Sequence, residues 1–175
     1  MFALAKEKKL FAMEALWSRF LPSYEFVFDQ ISKGVIGDIY HVSATLGFKV
    51  ADVTRVATKE MGGGTVLDLG VYVINIAEQV FVGETPEKVL AVGHLNKNGV
   101  DLDFTAAVQY KNNRTAALST HSMVELPNEA IIVGSKGTIR VSFVMINDVI
   151  IECLFPLDWG QFSGGDQSLR QQPVA

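Results

Sequence analysis

The chain has 175 residues, the length of one ordinary domain or of part of a larger protein, and a fold of this size hides roughly 70% of the surface its unfolded form exposes. Its net charge is −4 and no basic stripe runs along it, so nucleic acid and an anionic membrane surface are not expected partners. Hydrophobic residues make up 49% and charged residues 19%, which is apolar for a soluble monomer and points to surface covered by a partner or another domain.

Residues 1 to 9 read as the latter part of a helix, built of good helix formers and closed by Lys6, Lys8 and Lys9, cations that suit a helix C-terminus. The run LFAMEALW, residues 10 to 17, is short and apolar and fits a buried strand, with a helix as the alternative. Ser18 stands where a cap for the next element belongs. PSYEFVFDQISK, residues 22 to 33, places Phe26 and Ile31 at helical spacing, and Gly34 is its stop.

IYHVSATLGF, residues 39 to 48, alternates. Tyr40, Val42, Ala44, Leu46 and Phe48 form an expected dry face; His41, Ser43 and Thr45 form the other. Residues 49 to 61 show no periodicity and read as a loop. GGGTVLDLGVYVINIAEQVFVG, residues 62 to 83, opens on three glycines and continues as a helix from Thr65 to about Phe81. Strands follow: KVLAVGHL, DFTAAVQY, TAALSTHSMV, EAIIVG, TIRVSFVMI and VIIECLF. Asn112-Asn113, Ser135-Lys136-Gly137 and Asn147-Asp148 supply the turns. The fold class is therefore α+β, a mainly antiparallel open sheet with helices packed on one face. The segment DWGQFSGGDQSLRQQPVA lacks periodicity and reads as a flexible tail.

Cys153 is the single cysteine, so no intrachain disulfide is expected and a reducing, cytoplasmic setting fits. No apolar run reaches the roughly 18 residues of a membrane span. His41, His94 and His121 lack metal-ligand spacing among themselves or with Cys153, so no metal site is expected. No nucleophile elbow, P-loop or glycine-rich dinucleotide fingerprint occurs.

Two constellations can carry chemistry. Asp68 and Tyr72 stand four apart, on one face of the expected helix. A phenol can donate a proton to a carbonyl oxygen, or accept one from an alcohol when a nearby cation favours the phenolate. The pair therefore calls for a third, cationic group, a lysine by preference, and none sits at helical spacing. The same spacing also serves an aspartate that caps a first turn and a tyrosine that merely packs; spacing leaves both readings open. Trp17 and Arg19, two apart in EALWSRFLP, can flank a planar ligand or an anion. They can equally be a core indole beside a surface ion pair.

KKLFAMEALWSRFLP, GGGTVLDLGVYVIN and the strands through VELPNEAIIVGSKGTIRV, in this order, resemble the Gfo/Idh/MocA oxidoreductases. Within them the branch of the dimeric dihydrodiol dehydrogenases, also described as NADP-dependent D-xylose dehydrogenases, is the most similar. The resemblance covers about residues 1 to 145. It implies Tyr72 as acid/base, Asp68 as its partner in positioning substrate, and a lysine from an upstream Glu-Lys-Pro motif that this chain does not contain. It further implies an NADP cofactor (NAD as the alternative) whose binding site lies largely outside the chain, with Trp17 and Arg19 at the nicotinamide end. The expected domains are residues 1–17, the last helix and strand of a Rossmann domain; 18–155, a substrate and dimerisation domain; and 156–175, a divergent tail. The expected activity is hydride transfer between NADP and a vicinal diol or aldose, in a homodimer joined through the open sheet. The rival expectation is a truncated, non-catalytic dimerisation module.

Overall fold

The computed structural model describes residues 1–142 and 151–154. The helices are α1 (Phe2–Glu7), α2 (Pro22–Ser32), α3 (Thr54–Ala57) and α4 (Val71–Val80). The strands are β1 (Ile39–Gly47), β2 (Lys88–Val92), β3 (Asp103–Gln109), β4 (Thr115–His121), β5 (Glu129–Gly134), β6 (Thr138–Ser142) and β7 (Ile151–Leu154). They form one sheet in the order β2-β3-β4-β1-β5-β6-β7. The pairing of β1 with β4 is parallel, and the other pairs are antiparallel. The α+β class with a mainly antiparallel sheet is as expected.

Period-two alternation makes the sheet two-faced. Val42, Ala44 and Leu46 of β1, Ala116 and Leu118 of β4, Ala130 and Ile132 of β5, and Ile139 and Val141 of β6 are all buried. They share one core with Tyr24 and Val27 of α2 and Val73, Ile76 and Ala77 of α4. α4 lies over β1 and β4, the middle of the sheet. On the other face Ser43, Thr45, Thr105, Ala107, Ala117 and Ser119 stay exposed or half-exposed. Thr105 and Ser119, opposite each other on β3 and β4, share a hydroxyl hydrogen bond of 3.0 Å. The edge strand β2 is exposed along its whole length.

The turns follow the sequence cues. Asn112 and Asn113 sit at φ 57° and 60°, a left-handed conformation that asparagine tolerates. In the β5–β6 turn, Gly134 N–H donates to the Gly137 carbonyl at 2.8 Å. Ser135 Oγ accepts the Asp38 amide at 3.0 Å, which ties that turn to the start of β1.

Five sequence expectations are corrected. Residues 10–16 carry no regular structure and are mostly exposed, and Trp17–Phe20 form a 3₁₀ turn. A strand exists only where a neighbour completes its ladder, and no described strand lies beside LFAMEALW. Ser18 is buried inside the 3₁₀ turn, and the residue before α2 is Leu21, with Pro22 opening the helix. Tyr40 leaves the dry face, 44% exposed, because the β1–β5 register shifts between Ile39 and His41 and Ile39 takes the buried place. Residues 49 to 61 are not wholly loop; they hold α3 and a 3₁₀ turn, Lys59–Met61. The long helix also starts differently: Val66–Gly70 is a wide π-turn, and α geometry begins at Val71. The last residues of TIRVSFVMI, the Asn147-Asp148 turn and the tail lie outside the described residues. Among the described residues no helix is long and apolar enough to cross a membrane, and no group of three metal-ligating side chains occurs.

Ile132 is 0% exposed on a central strand. Ile132→Ala is expected to cost about 2–5 kcal/mol, the lost transfer energy plus the cavity left behind, measured by urea unfolding. Burial pushes the Tyr24 phenol well above the usual tyrosine range. The folded state therefore keeps a proton that the unfolded chain gives up near pH 10. That contribution is full below the unfolded pKa and is lost as pH rises through the folded one. Wild type is expected to lose stability relative to Tyr24→Phe between about pH 9 and pH 11; parallel urea-midpoint curves for the two proteins would refute this.

Candidate functional site

The site is built where the glycine cluster meets the π-turn. A Cβ on Gly63 would lie 2.5 Å from the Val56 carbonyl oxygen and 2.6 Å from that of Thr58. At Gly64, φ 118°, a Cβ would run into the Asp101 carboxylate. Gly63 and Gly64 thus let three backbone segments crowd together, and the space a phosphate would need against these two residues is filled by the chain itself.

The crowding caps the helix. The amides of Thr65 and Val66 open the π-turn without intrahelical acceptors. Thr65 N–H donates to the Asp101 carbonyl at 3.0 Å, and Val66 N–H donates to Asp101 Oδ2 at 2.6 Å. A residue 35 positions later does what a local cap usually does. Asp68, which its spacing also allows to cap a first turn, is left free for another partner.

That partner is Arg55. Its guanidinium donates to Asp68 Oδ1 through Nη1 and approaches Oδ2 through Nη2 at 3.5 Å. The Asp68 side chain is 19% exposed and that of Arg55 is 59% exposed. The hydrogen bond that Arg55 donates to Asp68 and then the charge of Asp68 hold the Arg55 proton more firmly than in a free arginine, and Tyr72 adds in the same direction. A cation therefore stands within electrostatic reach of both Asp68 and Tyr72.

Tyr72 lies in the first turn of α4, half-buried against the core. The Trp17 ring meets it edge to face, centroids 6.3 Å apart and planes at 69°. Trp17 itself is 48% exposed. Arg19 Nε donates to Asn75 Oδ1 at 2.6 Å, and Gln79 Nε2 reaches the same oxygen at 3.2 Å. Asn75 is buried, and its Nδ2 has no partner among the described residues. The 3₁₀ turn is thus fastened to α4 twice, by Trp17 on Tyr72 and by Arg19 on Asn75. Tyr24 lies behind, its hydroxyl beside Ser18 and within the field of Tyr72.

Trp17 meets Tyr72, and Asp68 and Tyr72 both act on Arg55. Arg19 joins them at one remove, through an amide on the next turn of α4. Sequence reasoning missed three contributors. Arg55 sits in a segment without periodicity, although Val53 and Val56, three apart, bracket it as one helical turn would. Asp101 acts from the loop between β2 and β3, 35 residues beyond Val66, and Asn75 looked like an ordinary helix residue. Among the described residues the cation that meets Asp68 is an arginine from another element, Arg55.

Comparison with known proteins identifies relatives of this chain. The trans-1,2-dihydrobenzene-1,2-diol dehydrogenase of Xenopus tropicalis is 42% identical over 141 residues, 81% of this chain and 43% of that protein. The protein of the same name from Homo sapiens is 33% identical over 141 residues, again 81% of this chain and 42% of that one. The chain thus spans less than half the length of these relatives. An aldose-aldose oxidoreductase from Caulobacter crescentus, solved with glycerol, superposes with a TM-score of 0.78 at 21% identity, covering 88% of this chain and 48% of that one. A 3-ketoreductase from Actinomadura kijaniata, solved with NADP and TDP-benzene, gives 0.69 at 23% identity, covering 88% and 52%. At such identities these two speak for the fold alone. Residues 24–140 match the family model described as the GFO/IDH/MocA C-terminal domain, and the chain belongs to that family.

Proposed function

We propose that this chain is the catalytic-domain part of an oxidoreductase that moves a hydride between a nicotinamide dinucleotide, NADP before NAD, and a vicinal diol or aldose. The observation that carries the reading is the half-buried Tyr72 phenol set against Trp17 and beside the Asp68–Arg55 pair. The relatives named as diol dehydrogenases support the substrate class. On this reading the protein is cytoplasmic, in keeping with its lone Cys153.

The residues fit the reacting end of such a cofactor and not its phosphates. The exposed indole of Trp17 offers a flat apolar surface for a planar ring, and Arg19 stands beside it on the same 3₁₀ turn. Gly63 and Gly64, by contrast, are closed off by Val56, Thr58 and Asp101, so the phosphate site belongs to another part of the protein. A bound nicotinamide supplies the hydride acceptor or donor. Tyr72 Oη takes the hydroxyl proton of the substrate during oxidation and returns it to the carbonyl oxygen during reduction. Asp68, fixed by Arg55, presents acceptor oxygens toward a neighbouring substrate hydroxyl. Trp17 limits water at the phenol from one side.

A second reading, a dimerisation module without catalysis, rests on the small residues of the sheet's exposed face. Both readings use the sheet's exposed face. Ser43, Thr45, Ala107, Ala117 and Ser119 are small, so a second copy can approach closely there.

Two measurements bear on these readings. Fused behind a family dinucleotide-binding domain that carries the Glu-Lys-Pro lysine, the chain is expected to oxidise a trans-dihydrodiol. Tyr72→Phe is expected to lower kcat about 10²- to 10⁴-fold with little change in NADP affinity. Wild-type kcat in Tyr72→Phe makes the ring a packing residue, and an inactive wild-type fusion leaves the dimerisation module. Sedimentation of the 175-residue chain at micromolar concentration is expected to show a dimer, which Ala117→Arg on the exposed face dissociates; a folded monomer in wild type speaks against the twin-sheet contact.

A further inference from the structure

We infer that Arg55 is a positioning residue for Asp68, and that the hairpin loop between β2 and β3 holds the two in register. The inference rests on the dehydrogenase reading above for its chemical meaning, but its geometry stands apart from it.

α3 has four residues, Thr54–Ala57, and a single turn does not hold itself in water. It is held from outside. Val50 and Ala51 N–H both donate to the Ser122 carbonyl, at 2.8 and 3.0 Å, which anchors the chain before the turn. Val56 is buried. The Ala57 carbonyl, at the end of the turn and without a helical partner, accepts Asn96 Nδ2 at 3.1 Å and Asn98 Nδ2 at 2.9 Å. Gly64 N–H donates to the Val56 carbonyl at 2.9 Å, joining α3 directly to the start of the π-turn.

The loop that supplies Asn96 and Asn98 also supplies Asp101. Asn96 Oδ1 accepts the amides of Asn98 at 2.8 Å and Val100 at 3.2 Å, so one side chain shapes the loop while its other end grips α3. Leu95 and Asp101 bridge across it. Asp101 then fixes Thr65 and Val66, two to three residues before Asp68. One loop therefore grips the element that carries Arg55 and the element that carries Asp68.

The consequence is chemical. A carboxylate beside a reacting phenol opposes negative charge on it; a guanidinium on that carboxylate offsets this and fixes the oxygens in the plane of its fork. Arg55 also leaves N–H groups facing solvent, open to a substrate oxygen. Asp68 without Arg55 rotates freely and presents its oxygens in many directions.

Nuclear magnetic resonance of the 15N-labelled 175-residue chain tests the clamp. Resolved, slowly rotating Arg55 Nη–H signals are expected in wild type. Asp68→Asn, nearly isosteric, is expected to collapse them, and Asn98→Ala is expected to broaden them while the rest of the spectrum stays dispersed. In the fusion, Arg55→Ala is expected to lower kcat about 10- to 100-fold by loosening the reacting geometry, with KM for NADP unchanged. Millimolar guanidinium, and not equal sodium chloride, is expected to restore part of the loss. A freely rotating Arg55 in wild type, or wild-type kcat in an active Arg55→Ala fusion, overturns the inference. If the wild-type fusion turns over no diol, the proposed function falls, and the guanidinium signals by themselves decide whether Arg55 holds Asp68.

Discussion

The parallel pairing of β1 with β4 is the constraint on which the molecule is organised. Two parallel neighbours cannot be joined by a tight turn; the chain must leave the sheet, cross a face and return. Between Gly47 and Thr115 it does so, and that crossover contains α3, the glycine cluster, the π-turn, α4 and the β2–β3 hairpin. The candidate site is thus a product of the crossover. α4 must bury Val73, Ile76 and Ala77 against the inner face, so its first turn, with Tyr72, is placed by the core and not by the site.

What the crossover leaves unsolved is the helix entrance. A π-turn is a wide and poorly propagating start, and its first amides need acceptors. The nearest local candidate, Asp68, is engaged elsewhere. Asp101 takes the task instead, and only because Gly64 has no Cβ to block its carboxylate. Gly63 and Gly64 at the helix entrance therefore have a mechanical reading. They are not an open cradle for a ligand; they are the room that lets α3, the π-turn and the hairpin loop lie against one another. The charged partners Arg55 and Asp68 are brought together by that contact and not by helical spacing.

The 3₁₀ turn at Trp17–Phe20 plays a similar part from the other side. Its Trp17 ring and Arg19 fork are both directed to α4, to Tyr72 and Asn75. The residues before it carry a row of exposed apolar side chains, Leu4, Leu10, Phe11 and Met13 among them. Such a row is the surface that the high hydrophobic fraction of the chain led one to expect.

The sequence by itself determined the elements whose signal is local. Alternation in IYHVSATLGF, DFTAAVQY, TAALSTHSMV and EAIIVG requires strands with one buried face, and the asparagine and glycine turns between them require hairpins. The spacing of Asp68 and Tyr72 marked the helix of the candidate site, and charge reasoning called for a cation near the pair. The arginine that pairs with Asp68 was not legible in the sequence. Arg55 lies in a four-residue turn with no periodicity to betray it, and its place depends on Ser122, Asn96 and Asn98, residues distant in the chain. The same holds for LFAMEALW, whose apolar run permits a strand but cannot form one without a neighbour to complete its hydrogen bonds. It holds for Tyr40, which a register shift against β5 turned outward. Local propensity is written in neighbouring residues; caps, bulges and ion pairs between elements are settled by which parts of the chain the core brings into contact.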